Sequence, residues 1–112
     1  MILPPAPYVY HAQVVAVYDA DTITVDFDLG LHIFLKNQKL RLFGIDAWEI
    51  RDTRGKPARD YLRSLILNQQ VVIKTHKDKL GKYGRWLADV YYNNLHVNME
   101  LVHRGHAIQR DY

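Results

Sequence analysis

The spacing of apolar positions along this chain switches from a period of two to one of 3.6 and back. From Tyr10 to Val17 the residues are apolar and β-branched, with Val14, Val15 and Val17, which predicts a strand. Asp19-Ala20-Asp21 then reads as a turn. Ile23, Val25 and Phe27 alternate with Thr24, Asp26 and Asp28, the period of a half-buried strand. Leu29-Gly30 interrupts it, Leu31 to Leu35 is a further strand candidate, and Lys36-Asn37-Gln38 is a second turn. Lys39 to Ile45 is expected as one strand ending at Asp46.

After a charged, glycine-containing loop over residues 50–56, the rhythm changes. Ala58, Tyr61, Leu62, Leu65 and Ile66 recur at helical spacing, with Arg59, Asp60 and Arg63 facing outward. Pro57 suits a first helical position, so a helix is predicted over 57–68. Val71 to about His76 is a strand, 77–85 a basic glycine-containing loop, Trp86 to Tyr92 a strand, and Asn93-Asn94 its turn. Asn98 is placed to cap a second short helix, stapled by Val97 and Val102 and stopped by Gly105. Residues 106–112 are left as a tail.

The order is three strands, a helix, two strands and a helix. That suits a mainly β fold with added α (α+β): a five-stranded OB-type Greek-key barrel, one helix after strand three and a second near the C-terminus. The chain has 112 residues, which is room for one core, over 9–112, behind an extended proline-rich arm at 1–8. Apolar residues make up 48 %, enough to build that core. With no cysteine, disulfides and thiolate metal sites are excluded. The start lacks the pattern of a signal peptide, and no apolar run approaches a membrane span. The expectation from the sequence as given is a cytoplasmic monomer without membrane contact, or a secreted one if a leader has been removed. A net charge of +3 permits a polyanionic partner without demanding one.

Chemistry concentrates in three places. Asp19 and Asp21 flank one residue in a turn, which alone is ordinary turn composition. Asp46 ends a strand and Glu49 follows it, also ordinary alone. Topology changes their weight, because the turn after strand one and the end of strand three can lie side by side at one end of a barrel. Asp21 and Asp46 would then converge on one hard cation, with oxygen ligands suiting Ca²⁺, Mg²⁺ or Mn²⁺ and not zinc. Arg41 lies five residues before Asp46, so a regular strand would put the two on opposite faces; a strand end or bulge is needed to unite them. Lys82-Tyr83-Gly84-Arg85 offers a cradle for a phosphate and a base or sugar. Around it, Lys74, Lys77, Lys79, Lys82 and Arg85 stand against Asp78 alone.

Asp-x-Asp-Thr at 19–22, Arg-x-x-x-x-Asp-x-x-Glu at 41–49 and Lys-Tyr-Gly-Arg at 82–85, in this order, resemble the staphylococcal nuclease (thermonuclease) family. The likeness runs from about Val14 to Ala107 and includes the helix from Pro57 and the segment Val97-Asn98-Met99-Glu100-Leu101-Val102. It implies an OB barrel and Ca²⁺-dependent cleavage of DNA, single-stranded or duplex, and of RNA, leaving 3′-phosphate ends. By position, the resemblance makes Asp21 and Asp46 direct Ca²⁺ ligands, the Ala47 carbonyl a third, and Asp19 an outer partner. Glu49 matches the residue that holds or deprotonates the attacking water. Arg41 and Arg85 match the arginines on the scissile phosphate, and Lys82 and Tyr83 those on a terminal phosphate. Ala47 and Trp48 stand where the family often has threonine and proline, and Trp48 would narrow the groove or stack on a base. The hairpin around Leu29–Lys39 is longer than in the staphylococcal enzyme. The alternative is a weak or inactive barrel that binds nucleic acid or protein; the full set of acids and arginines argues for the enzyme.

Overall fold

The computed structural model describes residues 7–80 and 84–110. Of the arm expected at 1–8, only Pro7 and Tyr8 fall within it. Strands β1 (Val9–Asp19), β2 (Thr22–Asp28) and β3 (Phe34–Leu42) form an antiparallel meander. A short β4 (Ile45–Ala47) and helix α1 (Gly55–Ile66) precede β5 (Gln70–Leu80) and β6 (Trp86–Tyr92). The chain continues through β7 (Leu95–His96), α2 (Val97–His103) and β8 (Ala107–Gln109). β5 pairs with β1 and with β6, and β6 pairs in parallel with β3 at Leu40–Leu42. That last pairing closes β1, β2, β3, β6 and β5 into a five-stranded barrel, the OB-type architecture the sequence predicts.

Alternation builds the interior. Val14, Ile23, Val25, Leu40, Ile73 and Val90 point inward and are fully buried. Helix α1 lays Ala58, Leu62 and Ile66 on the same cluster. It starts two residues before the position expected for Pro57 and ends at Ile66, with Asn68 just beyond in the left-handed region at φ 63°.

Several local expectations are corrected. Of the strand expected over Leu31 to Leu35 only Phe34 and Leu35 are strand, as the start of β3: residues 29–33 make a turn closed by Leu29 N–H on the Ile33 carbonyl at 2.9 Å. β3 instead runs unbroken through Lys36-Asn37-Gln38, where Asn37 takes φ 57° and donates its N–H to Asp26 at 2.8 Å. The strand expected over 39–45 breaks at Phe43-Gly44, where Gly44 adopts φ 79°, a conformation open to glycine at little cost. β5 continues to Leu80, into the span expected as a loop. Asn98 does not cap α2. It lies buried within the helix, accepts from Val90 N–H at 2.9 Å, and donates to the carbonyls of Phe43 at 2.9 Å and Ala88 at 3.1 Å. The tail pairs as β8 with β4, Asp46 opposite Ile108.

Candidate active site

The break at Phe43-Gly44 answers the parity problem of Arg41. Strand β3 stops, the chain turns, and β4 brings Asp46 back beside the residue five positions earlier. Asn98 on the Phe43 carbonyl, and the Phe43 N–H on the Ala88 carbonyl at 2.8 Å, hold that turn to the barrel. The Phe43 ring stacks on His76 with centroids 3.6 Å apart. Arg41 is only 8 % exposed. Its Nη2 lies 2.6 Å from Asp46 Oδ1 and 3.4 Å from Asp21 Oδ2, and its Nη1 donates to the Leu42 carbonyl at 2.7 Å. Two carboxylates 25 residues apart therefore meet at one nitrogen atom.

The β1–β2 turn supplies the other wall. Asp21 Oδ2 accepts from the Ala47 N–H at 3.0 Å, which ties the turn directly to β4. Asp19 accepts from the Asp21 N–H at 3.0 Å. Burial, followed by the hydrogen bond and charge of the Asp21 carboxyl, pushes Asp19 up to about 7. Arg85 donates from Nη1 to Thr22 Oγ1 at 3.1 Å. One open cleft is lined by the acids Asp19, Asp21, Asp46 and Glu49 and by Arg41, Arg85 and Arg110, with Ala47 between them.

Glu49 is held differently. It is 70 % exposed at the side chain, and its Oε2 accepts from Arg51 at 2.8 Å. Its main chain is fixed by a close approach: a Cβ added at Gly55 would stand 1.9 Å from the Glu49 carbonyl oxygen. Trp48, beside it, donates its indole N–H to the Gly105 carbonyl at 2.9 Å, and the Arg54 guanidinium covers its ring at 3.6 Å. Lys82 and Tyr83 lie outside the described residues.

Arg110 was not anticipated from the sequence. It follows β8, donates its N–H to the Gly44 carbonyl at 2.8 Å, and places Nη1 3.2 and 3.1 Å from the two oxygens of Asp46. The only signal for it was the short apolar run Ala107-Ile108, too brief to promise a strand.

Among the described residues, no three His, Cys, Asp or Glu side chains gather at a common metal position. The donor set is two carboxylates beside main-chain atoms of β4. That falls short of a zinc cage and fits a hard cation that keeps several waters. The sequence relationships agree with this geometry. The family model for "Staphylococcal nuclease homologue" matches residues 39–112. The chain belongs to the staphylococcal nuclease family. It is 34 % identical over 106 residues to the thermonuclease of Staphylococcus hyicus, covering 89 % of this chain and 59 % of that protein. An uncharacterized endonuclease of Escherichia coli O157:H7 is 35 % identical over 98 residues, covering 87 % and 59 %. A probable staphylococcal-like nuclease of Oryza sativa subsp. japonica is 33 % identical over 75 residues, covering 67 % of this chain and 20 % of its own. The chain thus spans between a fifth and three fifths of the length of these family relatives.

Proposed function

We propose that this staphylococcal nuclease family domain hydrolyses phosphodiester bonds of DNA or RNA by cation-assisted in-line attack of water, leaving 3′-phosphate ends. The observation that carries this reading is the meeting of Asp21 and Asp46 at the buried Arg41, with Arg85 and Glu49 lining the same cleft. Asp21, Asp46 and the Ala47 carbonyl would hold Ca²⁺, with Mg²⁺ or Mn²⁺ as alternatives and Asp19 as an outer partner. Bound there, the cation supplies neutralising charge at a non-bridging phosphate oxygen.

The protein's own groups do the rest. Arg41 and Arg85 donate to phosphate oxygens, and those hydrogen bonds strengthen as charge builds in the five-coordinate transition state. Binding that state better than the substrate is what accelerates the reaction. Glu49 orients the attacking water or takes its proton, a service worth about 10²–10⁴-fold. Arg110 balances Asp46 and keeps the two carboxylates from repelling each other.

Labelled single-stranded DNA, duplex DNA and RNA should each be incubated with the protein in Ca²⁺ and in excess chelator. Cleavage in Ca²⁺ to products with 3′-phosphates, abolished by chelator, is expected. Binding without cutting in Ca²⁺ would replace the nuclease with a binding module.

A further inference from the structure

Outside the cleft, a groove of about 710 Å³ opens between α1 and the outer face of β1, β2 and β3. It shares Asp19 and Arg85 with the cleft, so the two are continuous. Its walls carry Lys39 from β3 and Arg59 and Arg63 from α1. At the rim stands Tyr18, 72 % exposed. A register shift between Val17 and Asp19, where β1 runs one residue ahead of β2, accompanies this exposure.

The two arginines of α1 are held in place. Arg63 donates from Nε and Nη2 to the Val17 carbonyl at 3.3 and 3.0 Å, and Arg59 Nε lies 3.2 Å from Asp60. Asp60 is shared with Arg63 at 3.9 Å, so α1 contributes one net positive charge here. Lys39 and Arg85 add two more. Asp19 is the acid of the groove, against Lys39, Arg59, Arg63 and Arg85. Several cations lining one groove with an exposed aromatic ring beside them are the combination that tracks a single strand, cations on phosphates and ring on base.

We propose that the strand cut at the cleft continues through this groove, with Lys39, Arg59 and Arg63 on successive phosphates and Tyr18 stacked on a base. This rests on the nuclease reading and adds a direction and a length to its substrate. Single strands gain affinity once they are long enough to leave the cleft, and duplexes, whose bases are already stacked, gain only the charge contribution.

Binding of fluorescent single-stranded DNA of three and of twelve nucleotides, measured in chelator over a salt series, tests this. For the unaltered protein the longer strand should bind on the order of tenfold tighter or more, with a steeper salt dependence. Lys39→Glu and Arg59→Ala should each remove several-fold of that gain and flatten the slope by about 0.7 for each phosphate no longer neutralised. Tyr18→Ala should weaken the longer strand without changing the slope. Lys36→Ala, at the far end of β3, serves as a folded control. An unchanged length gain in Lys39→Glu and Arg59→Ala, with near-native unfolding midpoints, would overturn the groove assignment. Failure of the nuclease reading is a separate result: no cleavage of any strand in Ca²⁺ by the unaltered protein.

Discussion

Asp46 and Glu49 stand three residues apart, yet one is fastened to the barrel and the other to a loop. Asp46 sits in β4, opposite β8, and its oxygens accept from Arg41 at 2.6 Å and Arg110 at 3.1 Å. Through Arg41 it is joined to Asp21, and through Asn98 its turn is joined to α2. Glu49 has an exposed pairing with Arg51, of a kind worth about 0–1 kcal/mol, and a main chain pressed against Gly55. The half of the cleft proposed to hold a cation is thus braced by the protein's own ion pairs and hydrogen bonds. The half proposed to handle water takes its place from how tightly one loop packs on the start of a helix.

Changes in the two halves should therefore fail in different ways. Arg41→Ala gives the largest effect. It removes the proposed phosphate donor and leaves Asp21 and Asp46 facing each other in a half-buried site. Cleavage should fall by several orders of magnitude and stability by roughly 3 kcal/mol, read from rates and denaturant midpoints together. Full activity in that variant would remove Arg41 from the chemistry. Glu49→Gln sharpens the contrast. The rate should drop by about 10²–10⁴-fold with an unchanged unfolding midpoint, because the side chain is solvated. Gly55→Ala probes the loop without touching an acid. The added Cβ meets the Glu49 backbone, so the loop must shift, and the rate should fall on the order of 10–100-fold while Ca²⁺ affinity stays near that of the unaltered protein. Equal losses of rate and Ca²⁺ affinity would show that the halves are not separable.

Asp19 gives the smallest effect, and a signed one. Its carboxyl is raised from an ordinary 3.8 to about 7, with burial the leading cause. The folded chain keeps a proton there that the unfolded chain releases, so this group's contribution is full below 3.8 and is lost as the pH rises through about 7. In chelator, Asp19→Asn should raise the melting temperature at pH 8 and leave it nearly unchanged at pH 4. A variant less stable than the parent at pH 8 would contradict that sign.

Much of this could be read from residue order, and the reasons for the misses are local. Alternation at Ile23, Val25 and Phe27 and the helical spacing of Ala58, Leu62 and Ile66 report burial directly, and those elements stand within two residues of the bounds expected. Leu31 and Ile33 broke the rule because they are apolar yet 91 % and 55 % exposed in a turn, so hydrophobicity there does not signal a strand. Asn98 has the composition of a cap but spends its side chain on three main-chain groups of other elements, a tertiary demand no local pattern encodes. In the cleft, the spacing of Arg41 and Asp46 posed a parity problem that only the left-handed Gly44 resolves. Arg110 reached the same carboxylate through the β4–β8 pairing of three residues, below what periodicity detects.

Calorimetric titration of Ca²⁺ into the protein, and into Asp21→Asn and Asp46→Asn, bears most directly on the shared ion. One site in the unaltered protein, lost or weakened at least tenfold in both variants, is the predicted result. Unchanged Ca²⁺ binding in either variant, or none in the unaltered protein, would show that these two carboxylates do not hold a common cation.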